Sequence, residues 1–136
     1  MKTFKDYLKI FFFAFLLNFL WENLHAPLYL HYRGGAISEL ILARAALVDA
    51  FFILVIVIIS RAQIFNQRRE IFIVLVSLVI AIILEQWALA TGRWAYDPSM
   101  PTLPMLNIGL TPTIQLALTG WLSYKIVDFK KPSLDG

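Results

Sequence analysis

The stretch Leu40–Ser60, LILARAALVDAFFILVIVIIS, decides the fold because it is long and almost wholly apolar. A helix needs about 20 such residues to cross a hydrocarbon core of about 30 Å. The Ile, Val and Phe content would also suit a buried strand, but the stretch is too long for one and shows no alternation of period two. We therefore predict a transmembrane helix that carries two charged residues, Arg44 and Asp49.

Three further stretches of the same kind flank it: Tyr7–Leu30, Ile71–Ala90 and Met105–Val127. Four spans of about 20 residues take up about 80 residues of the chain, which leaves short loops and no room for a soluble domain. We predict an all-α fold, an integral membrane four-helix transmembrane bundle that forms a single domain over residues 1–136.

The composition excludes a soluble globule. Hydrophobic residues make up 60% and charged residues 15% of the chain, whereas soluble domains average about 45–50% and about 25%. Twelve Lys and Arg stand against nine Asp and Glu, and in so apolar a chain this excess indicates a lipid bilayer rather than nucleic acid as the partner. Because the chain has no cysteine, disulfides and thiolate metal sites are excluded.

The basic residues predict the orientation of the spans, since Lys and Arg accumulate in cytoplasmic loops. Nine of them flank one set of span ends: Lys2, Lys5, Lys9, Arg61, Arg68, Arg69, Lys125, Lys130 and Lys131. Three flank the other set: Arg33, Arg44 and Arg93. We therefore expect a multi-pass protein of the cell membrane with both termini in the cytoplasm.

Five ionisable residues inside the predicted spans need a reason to be there, namely Glu22, His25, Arg44, Asp49 and Glu85. A charged group at the centre of a spanning helix costs about 2.5–3.5 kcal/mol on insertion scales. The carboxyl groups therefore cannot all face lipid, although Arg44 is long enough to reach the interface as a simple anchor.

Two polar stripes accompany these residues. On the first span, Asn18, Glu22, His25 and Tyr29 lie within about 60° of one another around a helix, with Pro27 as a possible kink. Alternatively, that helix ends near Leu24, and His25 and Tyr29 are interfacial anchors. On the fourth span, Asn107, Thr111 and Gln115 form a second stripe, which ordinary interhelical hydrogen bonding would also explain.

All of these positions fall in the outer half of the predicted bundle, where they can converge on one outward-facing polar site. Separate pairs that merely fix helix packing are the alternative. The candidate catalytic residues are Glu22, Asp49 and Glu85, since a carboxylic acid in apolar surroundings can donate a proton while a second one stabilises positive charge. The candidate ligand-binding residues are Asn18, His25, Arg44, Trp87, Arg93, Trp94, Tyr96 and Gln115, and Trp21 is a further possible wall.

No metal or cofactor is predicted. Glu22 and His25 form one E-x-x-H pair, which is half of the motif that builds carboxylate metal sites in helical bundles. A single divalent ion on Glu22, His25, Asp49 and Glu85 is chemically conceivable, but the sequence offers no second pair. The loop 91–107 contains Pro98, Pro101 and Pro104, which predicts a stiff, folded-back lid.

The stretch Glu85–Pro98, EQWALATGRWAYDP, resembles the acid-then-G-x-W-x-Y segments of membrane-embedded carotenoid cyclases and hydratases. The resemblance covers about a tenth of the chain and implies that Glu85, Trp94 and Tyr96 face a substrate. The P-x-E-E element of the cyclases is absent, because the fourth span reads TPTIQ at residues 111–115. WENLHAPLY at residues 21–29, together with GRWAYDP at residues 92–98, also resembles a group of small four-span bacterial membrane proteins whose activity is unassigned.

Three functions fit this pattern. The first is binding or conversion of a lipid or isoprenoid, and whether the protein is an enzyme stays open at this point. The second is proton-coupled transport of the small multidrug-resistance type, for which the chain would form a homodimer, although the nine-to-three charge bias disfavours the antiparallel arrangement. The third is an accessory subunit of a membrane complex.

Overall fold

The computed structural model describes residues 3–62 and 67–129. Helices account for 71% of the chain, which confirms the predicted helical character. The helices within the described residues are α1 (Phe4–His25), α2 (Glu39–Ile59), α3 (Arg69–Ala90) and α4 (Leu110–Phe129), and the strands are β1 (Tyr29–Tyr32) and β2 (Trp94–Tyr96). Lys2, Lys130, Lys131 and residues 63–66 of the predicted cytoplasmic loop lie outside the described residues.

Among the described residues, three helices are long and apolar enough to cross a membrane: α1 with its extension to Leu28, α2 and α3. The distribution of polar and apolar side chains on these helices is the reverse of that in a soluble protein. Phe12, Leu20 and Phe51 are more than half exposed, whereas Asn18 and Ser77 are fully buried. Large apolar side chains outside and polar side chains inside are what a hydrocarbon solvent selects, so the structure supports a membrane protein.

The fourth helix is less apolar because one of its faces is polar. Thr113, Gln115, Thr119 and Ser123 are all buried against the other helices. Three of these side chains also donate to the backbone of their own helix: Thr113 to Gly109, Thr119 to Gln115 and Ser123 to Thr119. The outward face carries Ile114 and Leu118.

Helix α1 begins at a capping box and ends at a proline. The Thr3 N–H donates to Asp6 Oδ2 at 2.7 Å, and the Thr3 hydroxyl accepts from the Asp6 N–H. The prediction that the first helix continues to Leu30 is wrong, because α1 ends at His25 and a 3₁₀ turn, Ala26–Leu28, follows. Pro27 lacks an N–H, and its ring would clash with the carbonyl four residues earlier in a continuing α-helix.

Helix α3 ends in a Schellman motif, which directs the chain back across the end of the bundle. The Arg93 N–H donates to the Ala88 carbonyl at 2.9 Å, and the Gly92 N–H donates to the Leu89 carbonyl at 3.2 Å. Gly92 has φ +68°, a conformation that strains residues with a Cβ. Strand β2 follows directly.

The two strands form an antiparallel ribbon that the all-α prediction did not include. Tyr29 pairs with Tyr96, and Tyr32 pairs with Trp94. Beyond the ribbon, the Arg33 N–H donates to the Arg93 carbonyl at 2.6 Å. We call this side of the bundle, where α1 and α3 end and α2 and α4 begin, the strand end, and the opposite side the distal end.

Helix α4 begins at Leu110, so the prediction of a span from Met105 is wrong at this boundary. Met105 and Asn107 have positive φ values of 69° and 54°, which no helical residue adopts. Pro112 therefore lies in the first turn of α4, where its missing N–H costs no helical hydrogen bond. Asn107 is exposed in the loop and does not belong to the predicted polar stripe.

The four helices form an incomplete ring. Helix α1 packs extensively on α2 and on α4, and α4 packs on α3, whereas α2 and α3 touch each other only sparsely. The apolar core lies towards the distal end and includes Ile10, Ile53, Val57 and Ile73. The gap between α2 and α3 is the feature on which the site depends.

Candidate functional site

A cavity of about 350 Å³ occupies the gap between α2 and α3 near the strand end. Its base contains the carboxyl groups of the three predicted catalytic residues, Glu22, Asp49 and Glu85. Its side walls are apolar and include Leu42, Val48 and Leu84. Three arginines also line it: Arg33, Arg44 and Arg93. The cavity therefore combines acidic, basic and apolar surfaces.

Gln115 is the hub of the acidic base. Its amide nitrogen Nε2 lies 2.9 Å from Glu22 Oε1, 3.1 Å from Asp49 Oδ2 and 3.0 Å from Asn18 Oδ1. The two carboxyl oxygens can therefore be no more than about 6 Å apart. An amide nitrogen carries two hydrogens, so it cannot satisfy three acceptors at once. The Thr119 hydroxyl is a second donor to Asn18 Oδ1, so the two amide hydrogens can go to Glu22 and Asp49.

Asn18 shares the Gln115 amide with Glu22, and His25 contacts Glu22 directly. Asn18 Oδ1 also accepts from the Thr119 hydroxyl at 3.2 Å, and its own amide donates to the Ala14 carbonyl at 2.7 Å. His25 Nε2 lies 3.0 Å from Glu22 Oε2, and His25 Nδ1 lies 3.1 Å from Thr111 Oγ1. His25 is buried, so it is not the interfacial anchor of the alternative interpretation, although the helix does end there.

Glu85 is held by the ribbon. Its Oε2 accepts from the Tyr96 hydroxyl at 2.5 Å and from Trp94 Nε1 at 3.2 Å. The Tyr96 hydroxyl in turn accepts from the Gly109 N–H at 2.9 Å, which joins α3, β2 and the start of α4 at one atom. Burial and the bond to Glu85 raise the pKa of Tyr96 above its ordinary value of 10.0, so this phenol stays protonated and donates.

Tyr29 stands between the two groups of acids. Its ring contacts those of His25, Trp94 and Tyr96 edge to face, at centroid distances of 5.2, 6.1 and 5.5 Å. Burial and then the charge of Glu85 raise the pKa of Tyr29 far above its ordinary value of 10.0. Tyr29 therefore presents a neutral hydroxyl to the cavity.

The three arginines form a rim above the acids. The Arg93 guanidinium lies 4.3 Å from the centroid of the Trp87 ring, and that of Arg33 lies 5.5 Å from the centroid of Tyr32. Such cation–π contacts hold a guanidinium in place while leaving its N–H groups available. Within the described residues, no carboxylate lies within ion-pair distance of any of the three.

The structure brings most of the predicted site residues together. Glu22, Arg44, Asp49, Glu85, Trp87, Arg93, Trp94 and Gln115 line the cavity. Asn18, His25 and Tyr96 lie behind it and bond to residues that line it. Trp21 does not line the cavity, so it is not the wall that the sequence suggested.

Sequence reasoning missed one contributor. Arg33 enters the cavity only because the ribbon folds the chain back over the bundle, and in the sequence it counted merely as a loop charge. Thr111, which the sequence included in the polar stripe of the fourth span, contacts His25.

The arrangement does not favour a metal centre. Among the residues that the structure describes, no group of three or more His, Asp and Glu side chains is placed to hold a metal ion.

No protein-family model, curated protein or solved structure matches the chain. The candidate function therefore rests on the geometry of this one cavity.

Proposed function

We propose that this protein is a four-span membrane protein with both ends in the cytoplasm, and that it binds one lipid or isoprenoid molecule in the cavity between α2 and α3. The observation that carries the proposal is the cavity itself, which reaches from three arginines to three carboxyl groups along an apolar gap between two helices. A ligand with a polar head and an apolar tail matches this arrangement of charged and apolar surfaces.

Helix α4 serves as the fourth span in this proposal. Its 20 residues match the length of a spanning helix, and its polar face is turned inward while Ile114 and Leu118 face outward. A helix of this kind needs its neighbours in order to lie in lipid, because they bond its buried polar groups.

Access from the side follows from the gap between α2 and α3. Val48 lines the cavity and is 52% exposed, so the cavity wall is also part of the surface that faces lipid. A lipid could enter there with its tail still in the bilayer, which avoids desolvation of the tail in water. The charge bias of the loops supports a position of the cavity in the outer leaflet.

The carboxyl groups equip the site for proton transfer to the ligand. Glu22 and Asp49 line the cavity side by side and both accept from the Gln115 amide. A carboxylic acid in an apolar site can protonate an alkene or a leaving oxygen, and the third carboxyl group, Glu85, can stabilise the positive charge that forms. Such acid chemistry is also what the resemblance of residues 85–98 to carotenoid cyclases and hydratases suggests.

Binding is tested by extraction of the gently purified protein followed by lipid mass spectrometry. We expect a stoichiometric lipid with the wild type and its loss in Val48→Trp, where an indole fills the gap between α2 and α3. Leu47→Trp is the matched control, because Leu47 is 47% exposed on the same helix and does not line the cavity. Equal retention of lipid by both variants, or a stoichiometric protein partner with no lipid, would contradict the proposal.

Conversion is tested by comparing the lipids of membranes that contain wild-type protein with those that contain Glu85→Gln. We expect a product that disappears in Glu85→Gln, because the amide has no negative charge to stabilise the positive charge that forms in the transition state. Glu70→Gln is the control, since Glu70 lies on the same helix at the distal end. A product that persists in Glu85→Gln would show that Glu85 has no part in the reaction.

A further inference from the structure

The three rim arginines have no explained role within the protein. Arg33 and Arg44 are exposed and Arg93 is half-buried, and three carboxyl groups line the same cavity. Even so, Glu22 bonds to His25 and Gln115, and Glu85 bonds to Trp94 and Tyr96, rather than to any arginine. Within the described residues the opposite charges share one cavity without touching, so space remains beside the guanidinium groups.

We propose that Arg33, Arg44 and Arg93 bind the phosphate of a lipid headgroup, with the lipid tail in the gap between α2 and α3. This inference rests on the proposed function and names the class of ligand that the same cavity takes. A guanidinium matches phosphate because its planar fork of N–H donors can bond two phosphate oxygens at once. Three such groups offer enough donors for all the terminal oxygens of a phosphate monoester.

The backbone places these arginines on opposite sides of one space. Arg33 and Arg93 are tied to each other, since the Arg33 N–H donates to the Arg93 carbonyl at 2.6 Å. Arg44 comes from α2, on the other side of the gap, and its side chain makes no hydrogen bond or ion pair with a described residue. Gathering three cations costs electrostatic energy unless an anion lies between them.

The acids at the base determine how the ligand lies. Carboxyl groups repel a phosphate, so the phosphate belongs at the rim and the uncharged part of the ligand at the base. Arg44 and Asp49 are five residues apart on α2, which is about 7.5 Å along a helix. The proton donor would therefore meet the first few carbon atoms beyond the phosphate, and the remainder of the tail would leave through the gap.

The test measures binding of three probes to the purified full-length protein by native mass spectrometry. Dioleoyl phosphatidic acid has a phosphate monoester and two tails, dioleoylglycerol has the same tails without phosphate, and glycerol 3-phosphate has the phosphate without tails. We expect phosphatidic acid to bind at least tenfold more tightly than either of the other two. Tighter binding of glycerol 3-phosphate than of phosphatidic acid would overturn the lipid source and indicate a free phosphate ester.

The matched variants are Arg44→Gln and Arg68→Gln. Arg44 bonds to no described side chain, so its loss leaves the fold intact, which a thermal unfolding midpoint checks. Arg68 precedes α3 at the distal end, away from the cavity. We expect Arg44→Gln to weaken phosphatidic acid binding about tenfold, as the loss of one charge-assisted contact does, and Arg68→Gln to leave it unchanged.

The failure of this inference can be told from the failure of the proposed function. Equal binding of dioleoylglycerol and phosphatidic acid, or equal affinities in the two variants, would overturn the phosphate inference and leave a lipid site in place. If no lipid probe binds and the wild type retains no lipid on purification, both proposals fail.

Discussion

Two glutamates on the same helix, Glu70 and Glu85, have opposite environments. Glu70, at the distal end of α3, accepts from Trp121 Nε1 at 3.0 Å and forms an ion pair with Lys125 at 2.6 Å, and its side chain is 43% exposed. Glu85, at the strand end, also accepts from a tryptophan, but its other donor is the neutral Tyr96 hydroxyl, and the residue is 6% exposed. One acid has a cationic partner and water, and the other has neither.

This difference between the two glutamates reflects a difference between the two ends of the bundle. At the distal end, opposite charges meet at the surface and an apolar core fills the interior. At the strand end, the acids bond to Gln115, His25, Trp94 and Tyr96. No described carboxylate there pairs with any of the arginines that line the same cavity. Departures of this kind from simple stabilisation are expected where a protein holds groups ready for a ligand.

The largest effect on stability is expected from Gln115→Leu. Loss of the amide leaves Glu22, Asp49 and Asn18 without their common donor, and buried acceptors without a donor cost about 1–3 kcal/mol each. We expect the free energy of unfolding in mixed micelles to fall by about 3 kcal/mol. The control is Ser123→Ala, because the Ser123 hydroxyl bonds only to the Thr119 carbonyl of its own helix among the described residues, and its loss should cost roughly 0.5 kcal/mol. Equal losses of unfolding free energy in both variants would contradict the inferred difference between the two ends of the bundle.

A smaller effect is expected from Tyr96→Phe. The hydroxyl donates to Glu85 and accepts from the Gly109 N–H, so its removal breaks two bonds, and we expect a loss of about 2 kcal/mol in the same unfolding measurement. Tyr32→Phe is the matched control, since its hydroxyl has no hydrogen bond to a described residue. A Tyr96→Phe variant as stable as Tyr32→Phe would show that the ribbon does not hold Glu85.

The sequence predicted the helices well because their signal is strong. About twenty apolar residues without alternation specify a spanning helix wherever they occur, and three of the predicted spans agree with helices that the structure makes long and apolar enough to cross a membrane. The ends were less predictable. The sequence left open whether Pro27 kinks the first helix or the helix ends near Leu24, and the structure ends α1 at His25. The predicted start of the fourth span at Met105 missed a loop with two residues of positive φ.

The site could be predicted in part for a related reason. Glu22, Asp49 and Glu85 were identifiable because a carboxyl group inside a spanning helix is costly wherever it lies. Arg33 was not, since its place depends on a short ribbon between two segments that are far apart in the chain. Aromatic alternation at residues 29–32 and 94–96 was the available signal, and it is too short to specify pairing.

An effect smaller than that of Tyr96→Phe is expected from Glu70→Gln. The pair with Lys125 lies at the surface, where ion pairs contribute little and are screened by salt. The thermal unfolding midpoint of Glu70→Gln should lie close to that of the wild type, and the difference should shrink further in high salt. A fall in the unfolding midpoint larger than that of Tyr96→Phe would show that the distal end depends more on its acid than the strand end does.

The smallest effect is expected at Asp97, in the loop after β2. The Ser99 N–H and hydroxyl donate to Asp97 Oδ1 at 3.0 and 2.7 Å, and they lower the pKa of Asp97 below its ordinary value of 3.8. This contribution to stability is present above the ordinary value and is lost as the pH falls through the lowered one. Asp97→Asn should therefore lower the unfolding midpoint slightly at pH 7, and the difference from the wild type should vanish in strong acid. A difference between the two unfolding midpoints that grows as the pH falls would contradict this prediction.

The position of Gln115 on α4 has a consequence for biogenesis. The three side chains that its amide joins, Asn18, Glu22 and Asp49, lie on α1 and α2, which are synthesised before α4. Until α4 has been made, the translocon or a chaperone must shelter these side chains. Chains truncated before residue 115 should consequently be recognised by membrane quality-control proteases, whereas chains truncated after α4 should escape them.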